Sequence, residues 1–255
     1  MKVESAQRGI VHRGSLSPAP SDPPLPRDTF VRNELPPIVP SADRMAMVRA
    51  GLPLAPEALG LQELQGVAKQ AGLEKAWPEL EKAYRFAETA HQGQLRDDGS
   101  PYIFHASRTA RNAIEQFGIK DPEVLTAALL HDVVEDTDIT PQQLEKLFGA
   151  RTASMVSLLS KPDKRPDESY DQRNARYIEQ LESFGSPDLV ALKLADRFDN
   201  IDDTHLMPDR SKVQRYLQDT RDHYVTLADR HFPDAARQLE GKVQRIENWL
   251  RSTPG

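Results

Sequence analysis

The chain has 255 residues, 38% of them hydrophobic, and a formal charge of −6. That length supports one sizeable core. The absence of cysteine excludes disulfides and thiolate metal sites, no apolar run approaches the roughly 20 residues that span a bilayer, and the mild acidity argues against a general nucleic-acid binder, which carries a basic footprint.

Residues 1–55 read as a flexible Pro-rich tail. Pro18, Pro20, Pro23, Pro24 and Pro26, then Pro36, Pro37 and Pro40, break any regular helix and leave little to bury. A short helix over 43–48 is the one local signal there, and docking of a partner protein through this tail is left open. The N-terminus lacks the apolar stretch of a secretory signal, so the expected compartment is the cytoplasm. Residues 56–255 read as one all-α domain. Leu61, Leu64 and Val67, then Trp77, Leu80, Ala83, Tyr84 and Ala87, recur at helical steps. Gly93, Gly99 and Pro101 mark a loop over 92–101. Helices are predicted over about 104–117, 121–136, 140–148, 150–159, 168–184, 186–203, 209–230 and 233–252. Asp121-Pro122 and Thr140-Pro141 look like N-caps with proline at the first helical position. No segment shows the alternation of a strand. The apolar face of the last helix suits either the domain core or a homo-oligomer contact.

The run His131-Asp132-Val133-Val134-Glu135-Asp136 follows the apolar stretch 125–130. Four ionisable groups directly after a buried helix are costly unless a cation or substrate uses them. His105, His131, Asp132 and Asp196 are candidates to converge on one cation, and mixed imidazole and carboxylate donors suit Mn, Fe or Zn better than Ca. His131 and Asp132 would diverge by about 100° on a helix, so both reach one ion only near a helix end. Glu135 and Asp136 come one turn later and could flank a water polarised by the ion. Asn200 shares a face with Asp196 and would reach a substrate. Arg96 suits stacking on a purine or holding a phosphate. Lys161 is a further phosphate contact or a solvated lysine, and Arg197 reads as a surface charge.

In order, 90–94, Arg96, 99–105, 127–137, 148–149, 193–197 and Asn200 resemble the hydrolase domain of the RelA/SpoT family, within the HD superfamily of metal-dependent phosphohydrolases. Thr220, Tyr224 and Arg230 continue the likeness. The resemblance implies an all-α HD-domain helical bundle with one Mn²⁺ held by His105, His131, Asp132 and Asp196. It implies Glu135 and Asp136 as the pair that activates water, Arg96 against the purine and Asn200 on the nucleotide. The implied reaction removes the 3′-pyrophosphate of guanosine tetra- or pentaphosphate (ppGpp or pppGpp). Only one helix remains after residue 232, as in a stand-alone small alarmone hydrolase. The chain departs from the pattern at Asp199, where histidine is usual, at Ser160-Lys161, where a Thr-Lys pair is expected, and at Asp97 and Asp98 beside Arg96. These changes are expected to add negative charge near an anionic substrate, which keeps an adenosine 3′-pyrophosphate open as an alternative. A catalytically silent nucleotide-binding HD module is the other.

Overall fold

Local capping chemistry sets five of the helix starts. In the computed structural model, which describes residues 50–52, 57–96, 99–207 and 209–253, Asp121 accepts from the Glu123 backbone N–H. Thr140 and Ser169 each form a reciprocal capping box with the glutamine three residues on. Ser186 and Asp209 accept from the first-turn amides that follow them. Proline at the first helical position adds a preset φ in four helices. The helices are α1 (Leu61–Gln70), α2 (Trp77–Ala90), α3 (Ile103–Phe117), α4 (Pro122–Leu130), α5 (Val133–Asp136), α6 (Pro141–Phe148), α7 (Ala150–Leu159), α8 (Tyr170–Ser183), α9 (Pro187–Asp203), α10 (Arg210–Asp219), α11 (Thr226–His231) and α12 (Pro233–Ser252). No strand occurs among the described residues. One isolated bridge joins Leu95 and Pro101 in the loop before α3.

The expected helix over 121–136 is two helices, α4 and α5, interrupted at His131-Asp132. The expected single helix over 209–230 contains a π-helical turn, Thr220–Val225, between α10 and α11. The predicted 43–48 helix and nearly all of the predicted tail lie outside the described residues.

α4 is apolar on every side, and Val124 through Leu130 are all buried, as expected of a helix at the centre of a bundle. α2, α3 and α7 pack around it, and α9 runs against α3 in the most extensive helix–helix contact of the fold. Phe117 joins α3 to α9 and to the start of α12 by edge-to-face contacts with Phe198 and Phe232. α12 buries Leu239, Val243, Ile246 and Trp249 within this same chain, so its apolar face covers the core. α2, α3, α7 and α9 therefore frame α4. No helix among the described residues is long and apolar enough to cross a membrane.

Leu129 is 1% exposed at the middle of this frame, whereas Leu147 is 45% exposed. Leu129→Ala is expected to cost about 2–5 kcal/mol in urea unfolding, and Leu147→Ala less than about 0.5 kcal/mol.

Candidate metal centre

His131 closes α4 and Asp132 opens α5. The pair therefore sits in a chain break, where neighbouring side chains can turn to one point. His105 comes from the first turn of α3 and Asp196 from the middle of α9. His131 Nδ1 donates to the Ala128 carbonyl at 2.8 Å, and His105 Nδ1 donates to Asp199 Oδ2 at 2.6 Å. Both partners are pure acceptors, so each ring keeps a proton on Nδ1 and turns Nε2 inward. The two Nε2 atoms stand 3.2 Å apart. Asp132 Oδ2 lies 2.9 Å from His131 Nε2 and 3.5 Å from His105 Nε2. Asp196 Oδ1 lies 3.8 and 3.4 Å from the same two nitrogens. Donor atoms of His105, His131 and Asp132 all fall within 4.8 Å of one another.

Two nitrogen lone pairs and two carboxylates at these distances require positive charge between them. Protons or a cation can supply it, and the donor set fits a divalent transition ion. Burial and the Arg96 charge push the His105 pKa down, but hydrogen bonds accepted by Asp132, Asp196 and Asp199 outweigh both and raise it to about 9. Burial likewise opposes charge on His131, while Asp132 and Asp196 raise it to about 10. Burial would raise the Asp132 and Asp196 carboxyls, yet His131 beside the first and Lys193 beside the second hold both well below the usual range.

The water-facing side is acidic. Asp136 and Glu135 border a cavity of about 550 Å³ together with Gln94, Thr137 and Ile139. The two acids have different supports. The Tyr102 hydroxyl donates to Asp132 Oδ2 and stands 3.0 Å from Asp136 Oδ2, and the Gln94 amide donates to the Asp136 carbonyl at 2.9 Å. Glu135 Oε2 instead accepts from the Lys161 backbone N–H at 3.1 Å. Arg96 Nη2 donates to Asn200 Oδ1 at 2.8 Å, and Asn200 Nδ2 donates to Asp196 Oδ1 at 2.5 Å. The loop arginine is thereby tied to the ligand helix, and the nine candidate positions fall into one connected region.

Three sequence expectations need correction. Lys161 is not a solvated lysine: its Nζ donates to Asn174 Oδ1 at 2.6 Å and sits 5.2 Å from the Tyr170 ring centre, and burial lowers its pKa. Arg197 is not a surface charge. It is 5% exposed, lies between the Tyr216 and Tyr224 rings at 4.3 and 3.5 Å, and donates to Thr220 Oγ1 and Asp219 Oδ2. Asp199 does not add charge toward the opening. It is buried behind His105 and accepts from Arg108 Nε at 2.5 Å. Asp97 and Asp98 lie outside the described residues.

Sequence reasoning missed Lys193, Tyr102 and His91. Lys193 Nζ is 2.9 Å from Asp196 Oδ2, one turn away on α9. Burial opposes its charge, but the Asp196 carboxylate keeps it protonated. Tyr102 precedes His105 by three residues and stacks on His91 at 4.5 Å. The i,i+3 spacing to a suspected ligand was the available signal for both Lys193 and Tyr102.

An all-α bundle with a histidine–aspartate pair in the break between two helices defines a class of helical metal-site proteins. The chain belongs to the HD domain family, whose model matches residues 83–231. The guanosine-3′,5′-bis(diphosphate) 3′-pyrophosphohydrolase of Aquifex aeolicus is 36% identical over 152 residues, which is 60% of this chain and 21% of that protein. The bifunctional (p)ppGpp synthase/hydrolase SpoT of Escherichia coli K12 is 38% identical over 154 residues, 59% of this chain and 21% of that protein. The match thus spans about a fifth of the length of these curated relatives. A solved structure described as a metazoan ortholog of SpoT that hydrolyzes ppGpp is 28% identical with a TM-score of 0.52, covering 66% of this chain and 93% of that one.

The surrounding carboxylates raise the proton affinity of both rings, His105 to about 9 and His131 to about 10. This contribution to stability is present below the ordinary histidine pKa of about 6.5 and is lost as pH rises through those values. Each Nε2 must lose its proton before it can ligate. Binding of a divalent ion at pH 7 is therefore expected to release protons, with affinity weakening as pH falls toward 6. Calorimetry in phosphate and in Tris measures this. Binding enthalpies that differ by the buffers' ionisation heats are the expected result, and identical enthalpies would contradict it.

Proposed function

We propose that this chain hydrolyses the 3′-pyrophosphate of guanosine tetra- or pentaphosphate, giving GDP or GTP and pyrophosphate, with a single Mn²⁺ as cofactor. The observation that carries this reading is the convergence of two inward Nε2 atoms and two carboxylates beside an acidic opening. The relatives named for that reaction supply the substrate class.

His105, His131, Asp132 and Asp196 would hold the ion, which when bound supplies a Lewis acid for a phosphoryl oxygen and lowers the pKa of water. The remaining work falls to the chain's own groups. Water attacks the phosphorus bonded to ribose O3′, the P–O3′ bond breaks, and O3′ leaves with a proton as a free hydroxyl. Glu135 and Asp136 stand at the opening, where one can take the proton from the attacking water. Tyr102 holds the Asp136 carboxylate toward Asp132, and the Lys161 amide holds Glu135. Neither acid then has to find its orientation after substrate enters.

Arg96 and Asn200 already share a hydrogen bond. A planar guanidinium there can stack on a purine, and the Asn200 amide can switch from Arg96 to the nucleotide. Lys161 Nζ, held by Asn174, is a further contact for phosphate oxygens: burial lowers its pKa, and an incoming anion would favour its charged form. The nucleotide is a small-molecule partner. An assignment to the cytoplasm accords with such a substrate.

The test is incubation of the purified chain with Mn²⁺ and a panel of guanosine and adenosine 3′-pyrophosphates, with products separated by ion exchange. Pyrophosphate together with GDP or GTP is expected. Inorganic phosphate alone would contradict the bond assignment, and faster turnover of the adenosine compounds would contradict the base assignment. Asp132→Ala is expected to abolish turnover, and Glu135→Gln or Asp136→Asn to lower kcat on the order of 10²–10⁴-fold.

A further inference from the structure

Asp199 is the most enclosed acid near the centre that the reaction does not use. It follows Asp196 by three residues on α9, so both acids leave the helix on one side. It is 2% exposed. Oδ2 accepts from His105 Nδ1 at 2.6 Å and from Arg108 Nη2 at 3.1 Å, while Oδ1 accepts from Arg108 Nε at 2.5 Å. Arg108 also donates from Nη2 to Asp203 Oδ2 at 2.5 Å and from Nη1 to the Glu57 carbonyl at 2.6 Å. The guanidinium is thus held from α9 and from the segment before α1, and its planar fork fixes the plane of the Asp199 carboxylate.

We infer that Asp199 is a positioning residue that acts through His105, and that Arg108 acts through Asp199: the carboxylate keeps the ring proton on Nδ1 and so presents Nε2 to the metal. A carboxylate on the outer nitrogen of a ligating histidine fixes both the tautomer and the ring direction. Here the acid sits at the position where the chain departs from the resembled pattern. The neighbouring arginine makes that departure compatible with burial, because the carboxylate keeps a fixed cation whether or not His105 is protonated. The inference rests on the metal reading of the site proposed above.

Asp199→Asn separates orientation from packing because the side chain keeps its shape. Arg108 competes for the single amide oxygen, which leaves the NH₂ facing His105 Nδ1. That contact favours the tautomer with hydrogen on Nε2 and removes the lone pair the ion needs. Asp203→Asn is the control, since it disturbs the same arginine without touching His105.

The experiment titrates Mn²⁺ into the full chain and both variants by calorimetry, independently of turnover. Asp199→Asn is expected to bind Mn²⁺ about 10–100-fold more weakly than the parent, and Asp203→Asn within about threefold of it. Equal affinity in Asp199→Asn and the parent overturns the positioning role and leaves the metal reading standing. Equal losses in both variants also overturn it, because the network would then be structural. A parent that binds no divalent ion overturns both readings. If Asp199→Asn fails to fold, the Zn²⁺-loaded parent decides by ¹⁵N NMR of its histidine rings: His105 with hydrogen on Nδ1 supports the inference, and Nδ1 on the metal overturns it.

Discussion

Two imidazole nitrogens 3.2 Å apart, both turned inward because acceptors behind the rings hold the other nitrogen's proton, are the constraint around which this protein is built. Carboxylates on either side make the region still more negative. Such an arrangement is unfavourable in a low-dielectric interior unless positive charge occupies it. The histidines of the metal-free chain answer with raised proton affinity, and a divalent ion would satisfy all four groups together. The same electrostatic demand therefore accounts for the proton affinity and for the fit to a metal.

Rigid packing keeps these groups from moving apart. α4 is buried on all sides, so its last residue, His131, is delivered to a set place. α9 contributes Lys193, Asp196, Arg197, Asp199 and Asn200 within two turns. These side chains face different partners: Asp196 for Lys193, the π-helical turn for Arg197, His105 for Asp199 and the Arg96 loop for Asn200. Rotation of α9 would break each of these contacts except Lys193–Asp196, which lies within the helix, and that makes α9 the element linking the candidate metal centre, the Arg96 loop and the core. The π-helical turn at Thr220 lets Tyr224 close over Arg197 while Tyr216 stays on its other side. Irregular helix of this kind commonly marks functional regions.

Much of this is legible in the amino-acid sequence. Helical periodicity, caps such as Thr140-Pro141 and breakers such as Gly118 place most helix ends within a residue or two, because those signals are local. The interruption at His131-Asp132 was not readable as such, since nothing in Leu130-His131-Asp132-Val133 breaks a helix by propensity. Tertiary demand for two convergent side chains overrides a weak local preference there. The π-helical turn escaped for the same reason. The candidate ligands were visible as residue types, but Arg108, Lys193 and the buried position of Asp199 were not, because a charged residue on a helix is usually solvated. Arg197 shows the failure most clearly. Only the meeting of α9, α10 and the π-helical turn reveals a cation held between two tyrosines.

The central claim is that one divalent ion occupies the space between α3, the α4–α5 break and α9. Anomalous diffraction at the manganese edge from crystals grown with Mn²⁺ tests it most directly. A single strong peak, coordinated by His105 Nε2, His131 Nε2, Asp132 and Asp196, is the predicted result. A peak bound elsewhere on the chain, with these four side chains joined to one another only through hydrogen bonds, would contradict it.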